Sequence, residues 1–96
     1  MLASGPHHVY IVTGLSTSRV LYVGVTSNLR ARIAAHRAGR VDGFTARYHL
    51  SKLVHAEVFD YIRDAIAREK QLKGWRRDRK IALIEAHNPG WSELSA

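Results

Sequence analysis

No cysteine occurs in the 96 residues, so the chain carries neither a disulfide frame nor a thiolate metal site, which fits a reducing compartment. No apolar run reaches the roughly 18 residues that a transmembrane helix needs. The N-terminus also lacks the apolar core of a signal peptide, so a cytoplasmic protein without a membrane partner is expected. Carboxylates are scarce. Eight acidic residues against fifteen basic ones leave a formal charge of +7, with a pI of about 10.4. Such an excess favours a polyanionic partner, nucleic acid before a membrane surface. There is no repeat, low-complexity tract or internal linker, no His/Asp/Glu spacing of a zinc site, and no serine in a nucleophile-elbow or triad setting. A chain this short holds one domain with one modest core.

What is present alternates between strand and helix signals. Residues 1–7, MLASGPH, read as a loose leader. Val9 to Thr13 and Val20 to Val25 are rich in β-branched and aromatic residues and predict two strands. TSN at 26–28 supplies N-cap candidates for a helix from about Leu29 to Arg37, which AGRVDG then breaks. Lys52 to Phe59 reads as a third strand, and Asp60 is placed to cap a helix from Tyr61 to Lys73, with Gly74 ending it. A last helix, Arg77 to His87, stops at Asn88-Pro89, because the residue before proline is driven out of the helical region. The order β-β-α-β-α-α predicts an α/β fold, a small three-stranded, mostly antiparallel sheet flanked by helices.

Polar groups appear within the apolar patterns. Tyr10 in HHVYIVT and Tyr22 in VLYVGVT stand twelve residues apart. A hairpin centred on Ser16 sets them directly opposite each other, and a register shifted by two keeps them on one face. Leu29, Arg32, Ile33 and His36 share one helical stripe, as do Ile62, Ala65, Ile66, Glu69 and Leu72. A charge inside such a stripe is costly unless paired or metal-bound. Arg32 and Glu69 could simply pair with each other. Together with two phenols on one sheet face, however, they are the parts needed to cut a phosphodiester.

In these residues the chain resembles the GIY-YIG endonuclease family, small stand-alone bacterial type. The first signature tripeptide stands as His8-Val9-Tyr10 and the second as Tyr22-Val23-Gly24; Arg32 follows TSNLRA, and Glu69 lies in AIAREKQLK. The opening glycine is replaced by His8 and both central isoleucines by valine, which leaves both tyrosines and Gly24 in place. The likeness covers about residues 8–94, read as a single nuclease domain. It implies hydrolysis of a DNA phosphodiester to a 5′-phosphate and a 3′-hydroxyl, with Glu69 anchoring Mg²⁺ or Mn²⁺. It further implies Arg32 donating to nonbridging oxygens, and Tyr10 or Tyr22 orienting or deprotonating water, the choice between them open.

Smaller roles fall to other residues. His36, one turn after Arg32, is a candidate for proton transfer or a core-edge histidine. Gly24 is a candidate for close backbone approach to phosphate, or a bulge. Tyr48 and Asn88 resemble recurrent family positions, with structural alternatives for both. The basic run Arg68, Lys70, Lys73, Arg76, Arg77, Arg79 and Lys80, with Trp75 inside it, is the expected nucleic-acid contact, DNA before RNA and without sequence reading. The function expected is structure-dependent or unspecific DNA cleavage in repair or processing. The alternative is a nucleic-acid-binding module of the same fold without efficient catalysis, acting alone or with a protein partner. A third possibility is a structural protein with an Arg32–Glu69 core pair. Oligomeric state is left open.

Overall fold

The computed structural model describes residues 4–14, 20–41, 43 and 47–96, with only the backbone at 4 and 5. Strands β1 (Ser4–Gly14) and β2 (Leu21–Thr26) are followed by helix α1 (Leu29–Arg37), strand β3 (Leu50–Tyr61) and helices α2 (Ile62–Gly74) and α3 (Arg77–His87). The expected element order is therefore the observed one. The hairpin tip at 15–19, and 44–46 within GFTARYHL, lie outside the described residues.

The sheet order is β2-β1-β3, antiparallel throughout. The strand β1 begins earlier than its composition suggests: His7 pairs with Phe59 and Ser4 with Tyr61, so residues 4–7 are strand and not a loose leader. Pairing along a long partner satisfies backbone groups that the local sequence alone would leave to water. The hairpin register differs from the one centred on Ser16. Tyr10 faces Gly24, and Tyr22 faces Val12, a shift of two that leaves both tyrosines on one face as diagonal neighbours.

That alternation divides the core in two. Val9, Ile11, Val23 and Val54 turn to one side, where Ala65 and Leu72 of α2, Ile84 of α3 and Trp91 cover them. Tyr10, Val12 and Leu53 turn to the other, under Ile33 of α1 and Leu50. Both sides bury β-branched and aromatic side chains, each worth roughly 1.5–3 kcal/mol of transfer free energy when fully enclosed. A register irregularity between Ile11 and Val12 sets Leu53, opposite Val12, on the other face from His55, opposite Ile11, where plain alternation would keep the two together.

The helix ends follow local chemistry with one exception. Asn28 caps α1, its side chain accepting from Ala31 N at 3.1 Å. Asp60 does not cap α2: β3 runs on to Tyr61, which is the extended N-cap and gives no side-chain bond. On α2 the apolar stripe holds at Ala65 and Leu72, while Ile66 is exposed.

Asn88 ends α3 and then ties three segments together. Its Nδ2 donates to Val54 O at 3.1 Å and to Ser92 O at 2.9 Å, while Oδ1 accepts from Ser92 N at 3.0 Å. Leu94 N adds a bond to Leu53 O at 2.8 Å, so the C-terminal segment runs against the β3 backbone. The helix-terminal alternative for Asn88 is the one realised, since its amide is committed to backbone partners.

Candidate active site

The site forms where the α1 face of the sheet meets the β2 edge. Tyr10, in the central strand, is fully buried, and its hydroxyl shares a 2.9 Å hydrogen bond with Nε2 of the buried His36. Gly24 makes room for that phenol. A Cβ built there would fall on the Tyr10 hydroxyl and 2.5 Å from Cζ, closer than any real side chain tolerates. The space a side chain at 24 would take is thus filled by the Tyr10 ring, which accounts for the glycine by packing.

Tyr22 is half-buried beside this pair. Its ring centroid lies 6.4 Å from that of Tyr10 and 5.5 Å from that of His36, the latter edge-on. The imidazole also meets Tyr10 edge-on, with centroids 5.5 Å apart, and so wedges both phenols. His36 is brought there by α1, whose buried residues are Ile33 and His36, as the stripe predicts.

Arg32 sits one turn earlier on that stripe, half-buried, and its guanidinium makes no hydrogen bond or ion pair among the described residues. It lines an open cleft of about 490 Å³ together with Thr26, Ser27, Asn28 and Arg40. Among the described residues no carboxylate lines that cleft, and Arg32 and Arg40 offer an anion positive charge there.

Glu69 is reached around the β2 edge. Its side chain is only 15% exposed, and Oε2 lies 2.8 Å from Lys73 Nζ. Lys73 in turn lies 6.0 Å from the centroid of the Tyr22 ring. Glu69 therefore pairs with Lys73, one turn along its own helix, and not with Arg32. The i,i+4 spacing of the two is a pairing signal in the sequence, and it turns this member of the basic run onto a carboxylate of its own helix. The chain of contacts Glu69–Lys73–Tyr22–His36–Tyr10 is continuous, with Arg32 on the same face of α1 as His36.

Among the described residues no group of three or more His, Cys, Asp or Glu could enclose a metal ion. Glu69 nevertheless suits a hard divalent cation that keeps its waters and takes further oxygen ligands from a phosphate. The ammonium of Lys73 is a cation already seated on that carboxylate.

The remaining candidates divide. Arg76 and Arg77 are exposed at the start of α3 and Lys80 is half-buried. Tyr48 is exposed just ahead of β3. Besides Lys73, two members of the basic run are engaged by the protein itself. Arg79 stacks on the Trp75 ring at 4.1 Å, and Arg68 lies over it at 5.1 Å while also clamping a carboxylate. Trp75 is accordingly packed against the core and covered by guanidinium, which removes it as a base-stacking surface.

That carboxylate belongs to a network the sequence did not reveal. Arg68 Nε and Nη2 donate to Glu57 at 2.8 and 3.1 Å, and His55 Nε2 lies 2.7 Å from Glu57 Oε2. Burial alone would push the Glu57 carboxyl up, but the hydrogen bonds and charges of Arg68 and His55 outweigh it and hold the group below its usual range. The same pairing raises Arg68. An ionised carboxylate only accepts, so His55 carries a proton on Nε2. The one signal in the sequence was the alternation of His55 and Glu57 on β3, too short a pattern to point to Arg68 on α2.

Two phenols and an imidazole meet at this edge of an α/β scaffold, Lys73 links them to the Glu69 carboxylate, and Arg32 stands one turn before the imidazole on α1. A model of the GIY-YIG catalytic domain matches residues 6–82, and the chain belongs to that family. Its relatives are small stand-alone proteins. It is 39% identical to a UPF0213 protein of Staphylococcus haemolyticus over 79 residues, covering 82% of this chain and 94% of that one. A UPF0213 protein of Haloquadratum walsbyi is 37% identical over 79 residues, 82% of this chain and 86% of that one. The solution NMR structure of a UPF0213 protein from Bacillus halodurans aligns with a TM-score of 0.58 over 91% of this chain and 90% of that chain. At 24% identity that likeness is one of fold.

Proposed function

We propose that this protein is a metal-dependent endonuclease that hydrolyses phosphodiester bonds in DNA, in a structure-dependent or sequence-indifferent way, with residues 8–94 acting as one catalytic domain. The observation that carries this reading is the continuous cluster from Tyr10 to Glu69 beside the open cleft of Arg32. Its setting would be DNA repair or processing in the cytoplasm.

Glu69 is the residue that would hold Mg²⁺ or Mn²⁺, which when bound supplies Lewis-acid neutralisation of the phosphate and of the leaving 3′-oxygen. Arg32 would donate to the nonbridging oxygens from its cleft, where its permanent charge needs no reorganisation as charge builds on phosphorus. Tyr22 is the phenol partly open to water; it would orient the attacking water and, as its phenolate, take that water's proton on the phenol oxygen. Tyr10 is sealed and hydrogen-bonded to His36, which suits it to positioning Tyr22 and His36. Arg76, Arg77 and Lys80 would neutralise flanking phosphates.

The test is cleavage of labelled single-stranded, duplex and branched DNA with Mg²⁺ or Mn²⁺, comparing wild type with Glu69→Ala and Tyr22→Phe at matched folding. Metal-dependent products that vanish in the Glu69 variant are expected, and the preferred substrate identifies the shape recognised. A second reading, a binding module without efficient catalysis, is favoured by the engagement of Glu69 with Lys73. Salt-sensitive binding without cutting on every substrate, unaffected by either substitution, would establish that reading instead.

A further inference from the structure

We propose that Lys73 holds the place of the divalent cation at Glu69 until nucleic acid arrives, so that metal loading depends on substrate. The inference rests on the metal-dependent reading above and assigns a regulator to the same carboxylate. Three features of the ammonium carry it. It lies 2.8 Å from Glu69 Oε2, a charge-assisted hydrogen-bond distance. It lies 6.0 Å from the ring centroid of Tyr22, the phenol nearest to water in the cluster. Its side chain is 50% exposed while that of Glu69 is 15% exposed, so the lysine can swing away and the carboxylate cannot follow.

The competition is electrostatic. A dication at Glu69 with Lys73 in place would set two cations within a few ångströms of each other, and like charges that close oppose both binding events. Glu69 is the carboxylate to which the contacts of Tyr10, His36, Tyr22 and Lys73 lead, and the chain as a whole carries +7, so a dication there adds to a surplus of positive charge. A phosphodiester reverses the balance. It brings negative charge to the Arg32 cleft and gives the ammonium a phosphate oxygen to move to, a contact for which a compact point charge is suited. An i,i+4 pair with one half-exposed partner is weak enough to be exchanged in this way. Departure of Lys73 frees Oε2, and by linkage DNA and metal then tighten each other's binding.

The experiment is a titration of Mn²⁺ followed by the EPR signal of the free ion, at neutral pH and low salt without nucleic acid. It compares wild type, Lys73→Met, Lys73→Gln, Lys73→Arg and Glu69→Gln, each checked for folding by circular dichroism. Loss of the charge in either neutral variant is expected to tighten Mn²⁺ binding roughly tenfold, Lys73→Arg to stay near wild type, and Glu69→Gln to abolish saturable binding. A short duplex is then added in a Tyr22→Phe background, in which cleavage is slowed enough for binding to be read first. It should tighten Mn²⁺ strongly where Lys73 is present and far less in Lys73→Met. Unchanged, weaker or undetectable Mn²⁺ binding in the neutral variants overturns the proposal, as does equal enhancement by DNA in both backgrounds. Binding that is indifferent to Glu69→Gln would instead overturn the metal reading itself.

Discussion

Tyr10 and Tyr22 share a sheet face and a residue type, yet their surroundings differ. The Tyr10 hydroxyl is enclosed and bonded to His36, so its removal strands a buried imidazole nitrogen. Tyr10→Phe is expected to lower stability by about 1–3 kcal/mol, read as a shift in urea midpoint, and to leave nucleic-acid affinity nearly unchanged. Tyr22 is only half-buried. Tyr22→Phe should move stability by less than about 0.5 kcal/mol and lower the cleavage rate by roughly 10²- to 10⁴-fold. Opposite results for the pair would exchange their roles. Gly24 acts through Tyr10, since the missing side chain at 24 is the volume in which that phenol lies.

Between elements, the clearest electrostatic link is the Glu57–Arg68 pair that fastens α2 to β3, with His55 alongside. The Glu57 carboxyl titrates below its ordinary value of 4.5 in the folded chain, so folding is favoured by its ionised form. That contribution is fully present above the unfolded pKa, near 4.5, and is lost as pH falls through the lowered folded value. Glu57→Gln should therefore lower the melting temperature at pH 7 and flatten its decline below about pH 4.5, where wild type loses what the variant never had. Melting curves from pH 3 to pH 7 decide this; parallel declines in the two proteins would show that the pair is not what acid disrupts.

At the scale of the molecule, charge sets association. The net +7, the unengaged Arg32 cleft and the exposed Arg76 and Arg77 favour backbone binding whose affinity falls steeply with salt. Replacing Arg76, Arg77 and Lys80 together by glutamine is expected to flatten the plot of log K against log salt by about 0.9 for each duplex phosphate that these side chains neutralise. Arg68→Gln should leave that slope alone and lower stability, because its charge is turned inward on Glu57. A slope unaffected by the triple variant would move the nucleic-acid surface away from the start of α3.

Much of this architecture could be read along the chain. The order of strands and helices, the stripe that carries Arg32, Ile33 and His36, and the Asn28 cap follow from periodicity and local hydrogen bonding, which neighbours in sequence decide. The four candidate residues, Tyr10, Tyr22, Arg32 and Glu69, likewise stand out along the chain, because polar groups inside apolar patterns do. Contacts between distant segments were not. The two-residue shift of the hairpin, the extension of β1 back to Ser4, the phenol over Gly24 and the capture of Arg68 by Glu57 each depend on which strand or helix lies alongside. So does the sealing of Tyr10 while Tyr22 keeps some access to water. The sequence by itself determined which groups the protein owns and on which face of each element they stand. Only the tertiary structure decided which of them meet, because register and burial are properties of packed neighbours and not of the chain.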